Sequence, residues 1–153
     1  MSLTDNQLQM WLAFIRTFVR VQRRLTEEMK EKNDLPIAWY DVLVHLYHGP
    51  DDGLKMQDLA DQMVMSNSGL TRLLDRMIEK GVVKRELCED DRRVIFAVLT
   101  EEGTALIESL LPQHQARIEH YFMQHLSAEE VSTMREGFER ILKSIEEQEP
   151  AIS

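Results

Sequence analysis

The sequence predicts a mainly helical protein that carries one small β-hairpin. Three observations lead there. Leu70, Leu73, Leu74, Met77 and Ile78 recur at i, i+3, i+4, i+7, i+8, a single helical stripe, and longer stripes of the same period open and close the chain. Two β-branched runs, "VVKREL" (Val82–Leu87) and "VIFAVL" (Val94–Leu99), flank the polar "CEDDRR" (Cys88–Arg93). Leu35-Pro36, "HGPDDG" (His48–Gly53) and Gly81 punctuate the chain between apolar stripes.

Each element follows from local chemistry. Trp11, Phe14, Ile15, Phe18, Val21, Leu25 and Met29 lie at helical spacing with no Gly or Pro between them, predicting a long helix from Asp5 to about Lys32. Pro36 suits the first turn of a second helix, which runs to His48. After the turn cluster, Leu54–Met56 reads as a short extended piece. Gln57–Met65 reads as a short helix burying Leu59, Ala60 and Met63. Ser66 opens the next helix, and Gly81 is placed to close it in the left-handed conformation. The hairpin follows. Thr100 suits an N-cap, with Glu101 and Glu102 favourable at the positive end of the helix dipole. Pro112 predicts a kink near Leu111. "SAEE" (Ser127–Glu130) is a capping box for a last helix with Val131, Met134, Phe138, Ile141, Leu142 and Ile145 on one stripe. The tail "EQEPAIS" should fray.

Composition bounds the function. A chain of 153 residues, 43% apolar and 29% charged, fits a single globular domain over residues 1–153. No apolar run is long enough to span a membrane, and the N-terminus lacks the pattern of a secretory signal. One cysteine, Cys88, cannot form an internal disulfide, so a reducing cytoplasm is the expected setting. The net charge of −9 as a total argues against nucleic acid, but its distribution does not. Leu54–Leu99 holds eight basic and eight acidic residues, so the flanks carry the whole negative charge. Within Ser66–Arg85 the balance is +3. The local pattern decides a docking surface, and the total governs solubility and steering.

Short helix, turn, second helix and hairpin is the order of a winged helix-turn-helix lobe, here expected over residues 36–99. The face of the second helix opposite the apolar stripe carries Asn67, Ser68, Thr71, Arg72, Asp75 and Arg76. A Ser66 cap leaves first-turn N–H groups pointing outward, and small Asn67 and Ser68 suit close approach to a phosphate backbone. Gly69 weakens the helix but permits that approach. Thr71, Arg72 and Arg76 lie where a helix in a major groove meets base edges or phosphates. Asp75 suits either orienting an arginine or accepting from cytosine. At the hairpin tip, Arg92 and Arg93 suit a minor groove, with Asp91 beside them to fix a guanidinium.

"LADQMVMSNSGLTRLLDRMIEKGVVKRELCEDDRRVIFAVLTEEG" (Leu59–Gly103) resembles the MarR family of bacterial transcriptional regulators. The matching parts are the "LA" helix, the serine-led "TRLLDRMIEKG" helix, the "VVKRE" strand, the "D-R-R" wing and the closing "LTEEG". The resemblance implies a homodimer binding a palindromic duplex operator, most often as a repressor. Residues 1–35 and 100–148 would form the dimerisation helices. Ser66, Asn67, Ser68, Thr71, Arg72 and Arg76 would form the DNA face, with Asp91 and Arg93 on the wing. Many such regulators are released by small aromatic or phenolic effectors. In this chain one would stack on Trp11 or Trp39, with Arg16 or His45 meeting a carboxylate.

Competing readings are a helical protein–protein adaptor using the same lobe, and a metal- or redox-responsive regulator. His45 and His48, spaced i, i+3, can share a metal, but no matching ligand set accompanies them. Cys88 reads as a small filler at the end of a strand. No phosphate loop, nucleophile elbow or convergent metal spacing supports an enzyme, and no cofactor is expected.

Overall fold

The structure is a computed structural model and describes residues 2–148. In chain order the elements are α1 (Asp5–Asn33), α2 (Ile37–His48), β1 (Leu54–Lys55), α3 (Met56–Gln62), α4 (Asn67–Glu79), β2 (Val83–Leu87), β3 (Ile95–Leu99), α5 (Glu101–Tyr121) and α6 (Ala128–Glu146). A 3-10 turn (Met123–His125) lies between the last two helices. The chain divides into two compact units, residues 1–115 and 116–153, with the boundary inside α5. The tail beyond residue 148, expected to fray, lies outside the described residues.

The core of the first unit gathers the predicted stripes. Met29 of α1, Val42 and Leu43 of α2, Leu59 of α3, Leu70, Leu74 and Met77 of α4, Ala97 of β3 and Ile107 of α5 are fully buried in one cluster. The sheet is antiparallel with order β1-β3-β2. Val83 pairs with Leu99 and Leu87 with Ile95, so the hairpin forms in the register its two runs suggest. The extended piece before α3 becomes a third strand: Leu54 pairs with Ala97 and Lys55 with Phe96.

Helix ends follow the expected chemistry at most positions. Thr4 forms a capping box with Gln7 at the start of α1, and Ser127 forms one with Glu130 at the start of α6. Gly81 has φ +75°, in the left-handed region that glycine enters without a Cβ penalty. Thr100 caps α5: its hydroxyl accepts from the Gly103 N–H at 3.0 Å and donates to the Gly81 carbonyl at 2.6 Å. α5 runs through Pro112 as one helix.

Three details differ from expectation. Pro36 is the cap of α2 rather than part of its first turn, with ψ 137°, because an extended residue is what the helix needs just before it. α3 stops at Gln62, and Met63 is only half-buried. The stop is a Schellman turn: the Met65 N–H donates to the Ala60 carbonyl at 3.0 Å and the Val64 N–H to Asp61 at 3.1 Å. The left-handed position of that turn is held by Val64, with φ +52°. A β-branched residue there carries about 1–2 kcal/mol of backbone strain.

The third difference concerns α1. Only Leu25 and Met29 of its stripe are buried, while Trp11, Phe14, Ile15 and Phe18 stay exposed. Within the second unit, α6 likewise leaves Phe138, Ile141, Leu142 and Ile145 exposed. Each is an apolar helical face that stays exposed among the described residues.

Candidate nucleic-acid interface

α4 has the two faces its sequence describes. Leu70, Leu73, Leu74 and Met77 are buried. Asn67, Ser68, Thr71, Arg72, Asp75 and Arg76 are exposed. Ser66 holds the extended cap conformation, and its hydroxyl accepts from the Gly69 N–H at 3.1 Å. It also lies 3.3 Å from the Ser68 hydroxyl. The cap uses one of the first-turn donors, and the remaining N–H groups of that turn face outward beside Asn67 and Ser68. Arg76 Nε donates to the Arg72 carbonyl at 3.5 Å, a long bond that leaves its terminal nitrogens free to turn toward a ligand. Two guanidinium groups one turn apart therefore stand on an exposed ridge carried by a rigid, buried back face.

Asp75 does not pair with Arg72 or Arg76. Its Oδ1 accepts from Arg85 Nη2 of β2 at 2.8 Å, and the same nitrogen donates to the Thr71 carbonyl at 3.2 Å. Arg85 thus ties the hairpin to the middle of α4 and neutralises the one acid on the ridge. Sequence reasoning passed over Arg85. The signal was present in strand alternation, since Arg85 shares the face of buried Val83 and so points inward.

At the wing, Asp91 and Arg93 come together as expected. Arg93 Nε and Nη2 donate to the two Asp91 oxygens at 3.1 and 3.3 Å, and the Arg93 backbone N–H donates to Oδ1 at 3.0 Å. Arg92 is exposed beside them. The Arg93 hydrogen bonds hold the Asp91 carboxyl below the usual carboxylate range. A lowered native pKa means that this local order is complete above the ordinary carboxylate value and is lost as pH falls through the lower native one. The Arg93 Nε–H resonance should therefore keep its paired position through pH of about 4 and revert only below it. In Asp91→Asn it should sit at the unpaired position at every pH. An Arg93 shift that follows an ordinary carboxylate titration would contradict the pairing.

The four residues proposed for an effector are dispersed in kind. Trp11 is exposed on α1, with its ring 5.8 Å from that of Phe14. Arg16 is exposed on the same helix, and Trp39 is half-buried against the core. His45 alone of the four lines a cavity of about 410 Å³, with Val44, His48, Pro50, Leu54 and Gln62 among its walls. Its Nδ1 lies 2.6 Å from the Asp41 carbonyl oxygen. Cys88 is half-exposed at the end of β2, where its N–H donates to Val94 at 3.0 Å. Among the described residues, no group of three or more His, Cys, Asp or Glu could hold a metal ion. No helix among them is long and apolar enough to cross a membrane.

Comparison with known proteins agrees with this geometry. A sequence model of the MarR family matches residues 33–94, the span from the end of α1 to the wing. The HTH-type transcriptional regulator MhqR of Bacillus subtilis (strain 168) is 28% identical over 139 residues, covering 91% of this chain and 93% of MhqR. Among solved structures, AbsC, a MarR family transcriptional regulator from Streptomyces coelicolor, superposes with a TM-score of 0.88 at 29% identity, covering 95% of this chain and 98% of AbsC. Sco3205, a MarR family transcriptional regulator from the same organism solved in complex with DNA, gives 0.87 at 25% identity, covering 98% and 96%. Over residues 33–94 in sequence, and over nearly its whole length in fold, the chain is similar to the MarR family of transcriptional regulators.

Proposed function

We propose that this chain acts as a homodimer that binds a palindromic duplex operator and represses transcription until a small aromatic or phenolic effector releases it. The observation that carries the DNA part is the exposed ridge of Thr71, Arg72 and Arg76 on a helix whose opposite face is locked in the core. In this reading Ser66, Asn67 and Ser68 meet phosphates at the helix start, and Arg92 and the Asp91-oriented Arg93 reach the minor groove. Residues 36–99 are the DNA-binding lobe, and residues 1–35 and 100–148 pair the subunits. The exposed apolar faces of α1 and α6 support the pairing, since large exposed apolar stripes mark protein interfaces. The two recognition helices of a dimer must lie one DNA turn apart, roughly 34 Å. An effector that prefers another lobe separation depopulates that spacing. The chain's DNA-bound relative Sco3205 supports the class of ligand. In this reading the regulator works in a reducing cytoplasm, a setting that a single cysteine suits.

The test is fluorescence anisotropy on labelled inverted-repeat duplexes taken from beside the coding region, at several salt concentrations. A dimer neutralising about 6–10 phosphates should lose roughly 10³–10⁵ in affinity between about 50 and 200 mM salt. Failure to bind any upstream duplex at low ionic strength, or a monomer at micromolar concentration, would overturn the proposal.

A further inference from the structure

We infer that Val64 is a DNA-contacting residue whose isopropyl group meets a thymine 5-methyl at the edge of the major groove. The inference rests on the DNA-binding reading above and adds a residue that neither the helix ridge nor the wing includes.

Val64 is poorly explained by the isolated fold. It holds the left-handed position of the Schellman turn that ends α3, where glycine is the residue without a penalty. Strain in a β-branched residue is often repaid by burial, yet Val64 is 91% exposed, the most exposed large apolar side chain among the described residues. Glycine at this position would relieve the backbone and remove the exposed apolar surface. Both arguments from the free chain thus point away from valine. A strained residue that nothing inside the fold requires is a pointer to a contact outside it.

The surroundings select the contact. Val64 lies two residues before Ser66, the cap of α4, and so at the end of the helix that carries Asn67, Ser68, Thr71 and Arg72. Its exposed sequence neighbours, Asp61, Gln62, Ser66 and Asn67, are polar, and the flanking Met63 and Met65 are half-buried. One apolar group ringed by polar ones is unlike the apolar faces of α1 and α6, which suit another protein chain. It matches a single apolar point on a polar ligand. The thymine 5-methyl is the one such point that a base pair displays in the major groove.

The probe is a duplex recovered from random-sequence DNA by selection on the wild-type protein. Val64→Gly should raise Tm by roughly 2–6 °C, because the strain is gone. It should weaken binding to the selected duplex about fourfold per half-site, or about 15-fold for a dimer, the loss expected for one buried methyl-sized contact each. Val64→Ala keeps the strained backbone but trims the side chain, so it should weaken binding without the gain in Tm. Replacing thymidines one at a time by deoxyuridine should reveal one position per half-site where wild type loses the same factor and Val64→Gly loses nothing more. Wild-type affinity in both variants, or a deoxyuridine effect that persists unchanged in Val64→Gly at every thymine, overturns the inference. If the wild-type protein selects no duplex, the DNA-binding reading itself falls and this inference falls with it.

Discussion

Replacing Arg72 and Arg76 together by alanine should reduce operator affinity by about 1000-fold while leaving the melting temperature within a degree or two of wild type. The magnitude follows from counting. A dimer presents four of these guanidinium groups, and each contact to a base edge or phosphate contributes about 1 kcal/mol at the low end of the usual range. Four such losses total roughly 4 kcal/mol, or three orders of magnitude. The stability part follows from exposure. Both side chains stand in solvent, and the one bond between them is a long Arg76 Nε donation to a backbone carbonyl. Exposed substitutions of that kind usually move stability by under about 0.5 kcal/mol.

The salt dependence of the double variant separates two roles for the ridge. If the arginines neutralise phosphates, the slope of log affinity against log salt should fall by about one for each lost contact, up to about four for the dimer. If they read base edges, affinity drops with the slope nearly intact and discrimination between operator sequences relaxes. Arg135→Ala is a fitting control. Arg135 is an exposed arginine on α6, paired with Glu139 at 2.9 Å, outside the winged lobe. A double variant that still binds the operator like wild type would remove α4 from the interface. An Arg135→Ala variant that loses as much would show that general positive charge, and not this ridge, is what matters.

What the sequence made legible is what short-range rules govern. The cap at Ser66, the left-handed Gly81, the hairpin, the Thr100 cap and the Ser127 capping box all involve residues within a few positions of each other, where backbone chemistry leaves few alternatives. The features that escaped are non-local or break a local rule. Pairing of Leu54 with Ala97 spans a long loop closure, and a two-residue strand carries no periodicity of its own. α3 ends early because Val64 adopts a conformation that valine normally avoids, so the sequence holds no Gly or Pro to mark the stop. Asp75 sits one position from Arg76 and three from Arg72, yet its partner is Arg85 on the following strand, reached only once the hairpin folds back over α4. The apolar stripe of α1 was read correctly as helical, but periodicity alone could not say that its first half would stay exposed. Which of the four proposed effector residues would come together depends on several elements at once and lies beyond such rules; His45 lines the cavity at the end of α2.

Gly103→Ala should be the most damaging single methyl added anywhere near the recognition helix. Gly103 lies in the first turn of α5, and a Cβ built there would drive into the Val82 carbonyl oxygen and carbon. The obstacle is backbone, and it is pinned from both sides. The Val82 carbonyl accepts from the Thr100 N–H at 3.2 Å, the Val82 N–H donates to Met77 at 3.2 Å, and the Thr100 hydroxyl donates to the Gly81 carbonyl. Relief requires the start of α5 to move away from the end of α4 and the entry to β2, breaking this network and opening the contact around Ile107, which is fully buried. The expected loss is about 3 kcal/mol, at the upper end for overpacking because no flexible side chain can yield, and Tm should fall by roughly 6–12 °C. Gly81→Ala is the informative comparison. Gly81 has the positive φ, but nothing lies within 4 Å of its would-be Cβ, so it should suffer only the backbone penalty of about 1 kcal/mol. The order of the two melting temperatures, read by calorimetry, decides between them. If Gly81→Ala were the worse variant, left-handed geometry rather than close packing of α5 on the turn would hold the recognition helix in place. If Gly103→Ala is the worse, then duplex binding should fail at temperatures where the Gly81 variant still binds, because the anchor of α4 is lost before its exposed ridge is touched.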